Sequence, residues 1–134
     1  MANRNFISMR MYSQRVPVMV DVTINIGASG AVSSISTTSL VKSVVRQSTG
    51  VYKINLADNY TSLIACLGSP QSPASGLSGI DQVETQNAPN ASVSNLAAPS
   101  LTVKTLNASG ALADPASGSA IAIVAIMQNS SVKA

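Results

Sequence analysis

The sequence predicts one all-β domain, a single antiparallel β-sandwich of jelly-roll-like form. Three observations carry this reading. Residues 16–26 place Val16, Val18, Val20, Val22, Ile24 and Ile26 at every second position, with Pro17, Met19, Asp21, Thr23 and Asn25 between them. That period of two marks a strand with one buried face. The chain is rich in Ser, Thr, Val and Ile, which disfavour helix, and helical spacing of apolar residues is hard to find. Glycine, proline and asparagine punctuate it at the short intervals of a sandwich. About eight short strands are expected on that spacing.

Taken in order, the first strand closes at Gly27-Ala28-Ser29-Gly30, where glycine frees the backbone to turn. Residues 40–46 and 51–56 flank Gln47-Ser48-Thr49-Gly50 and read as a hairpin with a left-handed or bulged last residue. Within its second strand Tyr52, Ile54 and Leu56 share the face expected to be buried. Asp58-Asn59 interrupts before Tyr60, and residues 62–67 read as a further buried strand. A Pro, Gly and Ser-rich loop is expected over 68–79, and a second loop over 87–100 separates strands at 81–86 and 101–106. Residues 111–119, broken by Asp114-Pro115, lead into 121–127, apolar on both faces as in a central strand covered on both sides. Ala-Ser-Gly recurs at Ala28, Ala74, Ala108 and Ala116, each time in an expected turn, and is punctuation rather than a repeat architecture.

Length and composition narrow the function. At 134 residues there is room for one domain, and 46% apolar residues suffice for a core. Charged residues are 10%, whereas Ser, Thr and Asn make up 40 positions, so the polar surface is mostly hydroxyl and amide. There is no His and one Cys, which removes histidine triads, the common zinc sites and any intrachain disulfide. The formal charge of +3 reflects few acids rather than a basic patch, and Trp is absent, so no nucleic-acid partner is expected. No apolar run reaches the roughly 20 residues of a membrane span and no secretory leader is seen, so no membrane partner is expected and synthesis is placed in a cytoplasm.

The remaining motifs have plain explanations. Ser39-Leu40-Val41-Lys42 matches the Ser-x-x-Lys pattern of acyl enzymes, but in a strand positions three apart face opposite ways. Asp81 and Glu84 could be a carboxylate pair for glycoside hydrolysis, and the same divergence makes them a solvated edge. Cys66, in an apolar run with no histidine to activate it, is expected to be an inert core thiol. Asp58 and Asp114 stand at chain reversals, where short carboxylates bond nearby backbone N–H groups. No catalytic residue, cofactor or metal is expected, and the chain is expected not to be an enzyme.

Two stretches resemble a known group. Residues 43–60, with Arg46, then Thr49-Gly50-Val51-Tyr52-Lys53-Ile54-Asn55-Leu56, then Asp58 and Tyr60, are similar to a segment of small virion proteins of tailed bacteriophages. The ending Ala113-Asp114-Pro115-Ala116-Ser117-Gly118-Ser119, followed by the 121–127 strand and Asn129-Ser130-Ser131, resembles the close of the same proteins. The resemblance implies a virion structural role: capsid decoration (cement) on the outside of a phage head first, the receptor-binding tip of a head or tail fibre second. The implied partners are the major capsid protein or another virion protein, together with further copies of the chain, a trimer being favoured. Residues 1–15 are expected to be a docking segment or the first strand, and 16–134 the sandwich. In that segment Phe6, Met9 and Met11 could dock on a partner while Arg4, Arg10 and Arg15 pair with its acidic rim.

Overall fold

The computed structural model describes residues 17–37, 40–86 and 97–129. The strands are β1 (Pro17–Ile26), β2 (Val32–Thr37), β3 (Val41–Ser48), β4 (Val51–Leu56), β5 (Tyr60–Gln71), β6 (Gln82–Gln86), β7 (Ser100–Leu106) and β8 (Ala120–Asn129). They form two antiparallel sheets of four. Sheet I has the order β2-β1-β8-β5 and sheet II the order β3-β4-β7-β6. The expected all-β sandwich is the fold observed. Among the described residues, no helix is long and apolar enough to cross a membrane.

Period-two patterning produces the core directly. Val20, Val22, Ile24 and Ile26 of β1 meet Tyr52, Ile54 and Leu56 of β4, Leu101 and Val103 of β7, and Ile121, Ile123, Ala125 and Met127 of β8 in one buried cluster. The β3-β4 hairpin turns at Thr49-Gly50, where Gly50 adopts φ +66°. A Cβ there would also lie 2.8 Å from the Ala113 nitrogen and the Thr105 oxygen, so glycine is needed for both reasons. The Gly27 to Gly30 turn is a single 3-10 turn with Ser29 at φ 55° and Gly30 at φ 74°.

Three expectations are corrected. The first concerns β5, which does not stop at Leu67 but runs through Gly68, Ser69 and Pro70 to Gln71. As an edge strand it tolerates a proline without an N–H. Its glycine admits a neighbour: a Cβ at Gly68 would come within 2.4 Å of Val83 Cγ1 on β6, so the two sheets close together along this edge. The second is β2, which was not expected as a strand, because its inward residues Val32 and Ile35 are three apart. The register shift opposite Asn25 and Ile26 explains that spacing, since Val32 pairs with Ile26 and Ile35 with Ile24. The third is β8, which is covered on one side only: Ile121, Ile123, Ala125 and Met127 are buried, while Ala122, Val124 and Ile126 face outward and are half-exposed.

The face assignment makes a stability ranking. Ile54→Ala and Ile123→Ala should each cost about 2 to 5 kcal/mol as large-to-small core changes. Lys53→Ala, on the outer face of the same strand as Ile54, should cost well under about 1 kcal/mol. Chemical denaturation of the three variants measures the order, and the reverse ranking would contradict it.

Candidate functional site

The best-connected polar cluster joins the two stretches that carry the bacteriophage resemblance. Arg46 is on β3, Gly50 in the hairpin turn and Tyr52 on β4, while Asp114 comes from the connection between β7 and β8. Arg46 donates to Asp114 through Nε (3.0 Å to Oδ1) and Nη2 (2.6 Å to Oδ2), a two-pronged ion pair. The Gly50 N–H donates to the same Oδ1 at 2.8 Å. Tyr52, fully buried, donates its hydroxyl to the Gly30 carbonyl at 2.8 Å, with Asp114 Oδ1 3.4 Å away as a second acceptor.

Hydrogen bonds hold the Asp114 segment along its length. Thr105 Oγ1 donates to the Ala113 carbonyl and the Ala113 N–H donates to the Thr105 carbonyl. Further on, the Gly118 N–H donates to the Ile26 carbonyl and the Ile26 N–H donates to the Ser119 carbonyl. The segment therefore links β7 of sheet II to the end of β1 in sheet I. Close packing completes the joint, because Gly30 has no Cβ where one would lie 2.3 Å from Asp114 Cγ.

The cluster sets the ionisation of its members. The hydrogen bond from Arg46, helped by that from Gly50, holds the Asp114 carboxyl below the usual carboxylate range against the opposing effect of burial. The same bond raises Arg46 further above its ordinary value. Burial, reinforced by the Asp114 charge, pushes the Tyr52 hydroxyl up to about 12.

A groove of about 580 Å³ lies at the end of the sandwich reached by β5, lined by Pro70, Ser72, the 77–81 segment and the 107–109 turn. Its walls offer hydroxyl, amide and carboxylate groups from Ser72, Asn107, Ser109 and Asp81, with Leu77 exposed at the rim. Asn107 spends its side-chain oxygen locally, accepting from the Ser109 N–H, the Ser109 hydroxyl and the Ala111 N–H.

Arg4, Phe6, Met9, Arg10, Met11 and Arg15 lie outside the described residues, as does Ser39. Lys42 is exposed on β3. Asp81 sits just before β6 at the groove, whereas Glu84 is on the outward face of β6 opposite Lys104, so the strand separates the two carboxylates. Cys66 is half-buried on the inner face of β5, and burial pushes its thiol up, partly offset by a hydrogen bond with Thr85. Among the described residues no group of three or more His, Cys, Asp or Glu could hold a metal ion. Asp114 was read as a local turn residue. Its bond to the Gly50 N–H is of the expected kind, but it reaches 64 positions back along the chain.

No family model matches this chain, and no curated protein matches it in sequence. Among solved structures it is similar to the phiAB6 tailspike, determined in complex with three-repeated oligosaccharides of Acinetobacter baumannii surface polysaccharide. The TM-score is 0.42 at 23% identity, over 86% of this chain and 20% of that one. This chain thus spans about a fifth of the length of the tailspike it matches.

One expectation is corrected. The chain was expected not to be an enzyme, chiefly because it has no histidine. Hydrolysis of glycosides works with two carboxylates and needs no histidine, so the absence of histidine does not exclude an enzyme. The expectation is withdrawn.

The cluster predicts a pH profile with two limbs. Asp114 ionises more easily in the folded chain than in the unfolded one, so its contribution is full above the ordinary carboxylate range and is lost as pH falls through its lowered value. Tyr52 holds its proton more tightly when folded, so its contribution is full below pH of about 10 and is lost as pH rises toward about 12. Denaturant midpoints measured across pH should fall at both ends, with Asp114→Asn weakening the acid limb and Tyr52→Phe the alkaline one. At neutral pH Asp114→Ala, which strands the buried Gly50 N–H, should cost at least about 1 to 3 kcal/mol.

Proposed function

We propose that this chain is a structural protein of a tailed-bacteriophage virion, bound to the outer surface of the head as a decoration protein. The observation that carries this reading is the Arg46–Asp114 cluster. The two stretches that resemble small virion proteins lie far apart in the chain, and Arg46 and Tyr52 of the first meet Asp114 of the second in one hydrogen-bonded joint. A resemblance split between two places in the sequence thus corresponds to one place in the fold. In this reading residues 1–15 attach the sandwich to the major capsid protein through Phe6, Met9 and Met11, with Arg4, Arg10 and Arg15 pairing with acidic groups around the contact.

A second reading, the receptor-binding tip of a head or tail fibre, is favoured by the groove between the 77–81 segment and the 107–109 turn. Its hydroxyl and amide lining suits a hydroxyl-rich ligand. Among the described residues the groove has no aromatic side chain on which a sugar ring could stack, which ranks this reading second.

Electron microscopy of phage particles carrying a gold label on this protein distinguishes the two. Label spread over the head shell is the expected result. Label confined to fibre or tail ends would replace decoration by the tip reading, and particles without label would remove both. Mixed with undecorated heads, a chain with Arg4, Arg10 and Arg15 all changed to Ala should bind about tenfold or more weakly than the unaltered chain.

A further inference from the structure

We infer that a second copy of this chain packs on the outer face of sheet I. The inference goes beyond the virion role and stands on the face itself, whether or not the chain binds a phage head.

The two outward faces of the sandwich differ in kind. On sheet II, Lys53, Lys104 and Glu84 alternate with inward core residues, as expected of a face in water. On sheet I the middle outward rows across β1, β8 and β5 run Met19–Ile126–Ala65 and Asp21–Val124–Leu67, flanked by the more polar rows Thr23–Ala122–Ser69 and Pro17–Gln128–Ser62. Met19 is 62% exposed and Leu67 67%. The bulge in β5 adds Ile64 at 52%. These are large apolar side chains on adjoining strands, not scattered single residues.

Charge and shape select the occupant. Asp21 is the sole charge on these rows, at the margin toward the polar strand β2. A protein of opposite charge would find almost nothing to pair with, whereas a copy of the same face brings almost no like charge against it. Relief points the same way. Met19 and Leu67 are largely exposed on either side of β8, whose Val124 and Ile126 are only half-exposed, so that a side chain from a second copy could settle over β8 as in a shallow furrow. A copy related by a two-fold axis sets its Leu67 into this furrow and receives the first copy's Leu67 in return, the mutual fit of an isologous contact.

The area is sufficient. Strands of 6, 10, 10 and 12 residues, about 4.8 Å apart and rising about 3.3 Å per residue, give a face of about 600 Å² per copy, so about 1,200 Å² in the pair, at the lower end of specific interfaces. The expected product is a reversible dimer, with dissociation visible on dilution.

Sedimentation velocity of the purified full chain over a concentration series tests this without any phage particle. The expected result is a mass above that of one chain that falls toward the monomer on dilution, with Leu67→Glu weakening association at least about tenfold. Circular dichroism and the denaturation midpoint check that the variant is folded. Met19→Glu, also well exposed, serves if it is not. Val45→Glu, on the outer face of sheet II, should associate like the unaltered chain. A chain that stays monomeric throughout overturns the inference, including one whose face binds a hydrophobic dye or a different protein. So does an assembly that Val45→Glu dissolves and the folded Leu67→Glu and Met19→Glu variants leave intact.

Discussion

The Asp114 carboxylate is the constraint around which the two sheets are joined at one end of the sandwich. It closes a pair with Arg46 of β3, takes the hairpin N–H of Gly50 and lies beside the Tyr52 hydroxyl, all belonging to sheet II. Its own side chain is pressed against Gly30, in the turn that ends the first hairpin of sheet I. A sandwich is held mainly by apolar packing between faces, which is strong but non-directional. Directional bonds at this joint add what packing lacks, since a slip of either hairpin would leave the carboxylate or the Gly50 N–H without a partner. The glycines at 30 and 50 follow from the same joint. Each combines a left-handed backbone with a wall of other atoms where a side chain would begin.

What could be read in the sequence was whatever kept a simple period. β1 and β4 alternate without interruption, and their buried faces and the Thr49-Gly50 turn are all visible in the amino acids. β2, β3 and β5 are harder, and the reason is geometric. Each contains a register shift, after which inward residues are three apart: Val32 and Ile35 in β2, Val41 and Val44 in β3, Tyr60, Leu63 and Cys66 in β5. An irregularity that adds one residue turns period two into period three and makes a regular strand look like a loop or a continuous apolar run. The Arg46–Asp114 pair was hidden for a different reason, because no local rule connects positions 68 apart. Its trace in the sequence was that both residues belong to the two stretches similar to bacteriophage proteins. The groove was equally out of reach, being assembled from three separate segments whose meeting depends on β5 running on past Gly68.

The two outward faces suggest how one small domain can both join and display. Sheet II shows water a mixture of Lys, Glu, Gln and Thr, and sheet I an almost uncharged surface. Among side chains that are neither charged nor strongly apolar, Ser and Thr do much of the structural work at the margins. Ser33 and Thr37 on β2 bond to the Asn25 and Asp21 carbonyls of the neighbouring strand. Such bonds occupy backbone acceptors near an edge with short polar side chains in place of charge.

The pairing of β1 with β8 has a temporal side. These strands are central neighbours in sheet I, in register from Pro17 opposite Gln128 to Asn25 opposite Ala120, so the first described strand finds its partner only in the last. Both edge strands of that sheet, β2 and β5, hang on this pair. During synthesis, sheet II can assemble from the β3-β4 and β6-β7 hairpins as soon as β7 has emerged. Sheet I has no central seam until β8 follows. Its apolar strands must wait while all the residues between β1 and β8 are made, and the long loop that closes between them places this chain among slow, non-local folders. The sparse charge that suits a packed face offers little electrostatic repulsion during that wait. Newly made copies are therefore most exposed to one another just before β8 arrives.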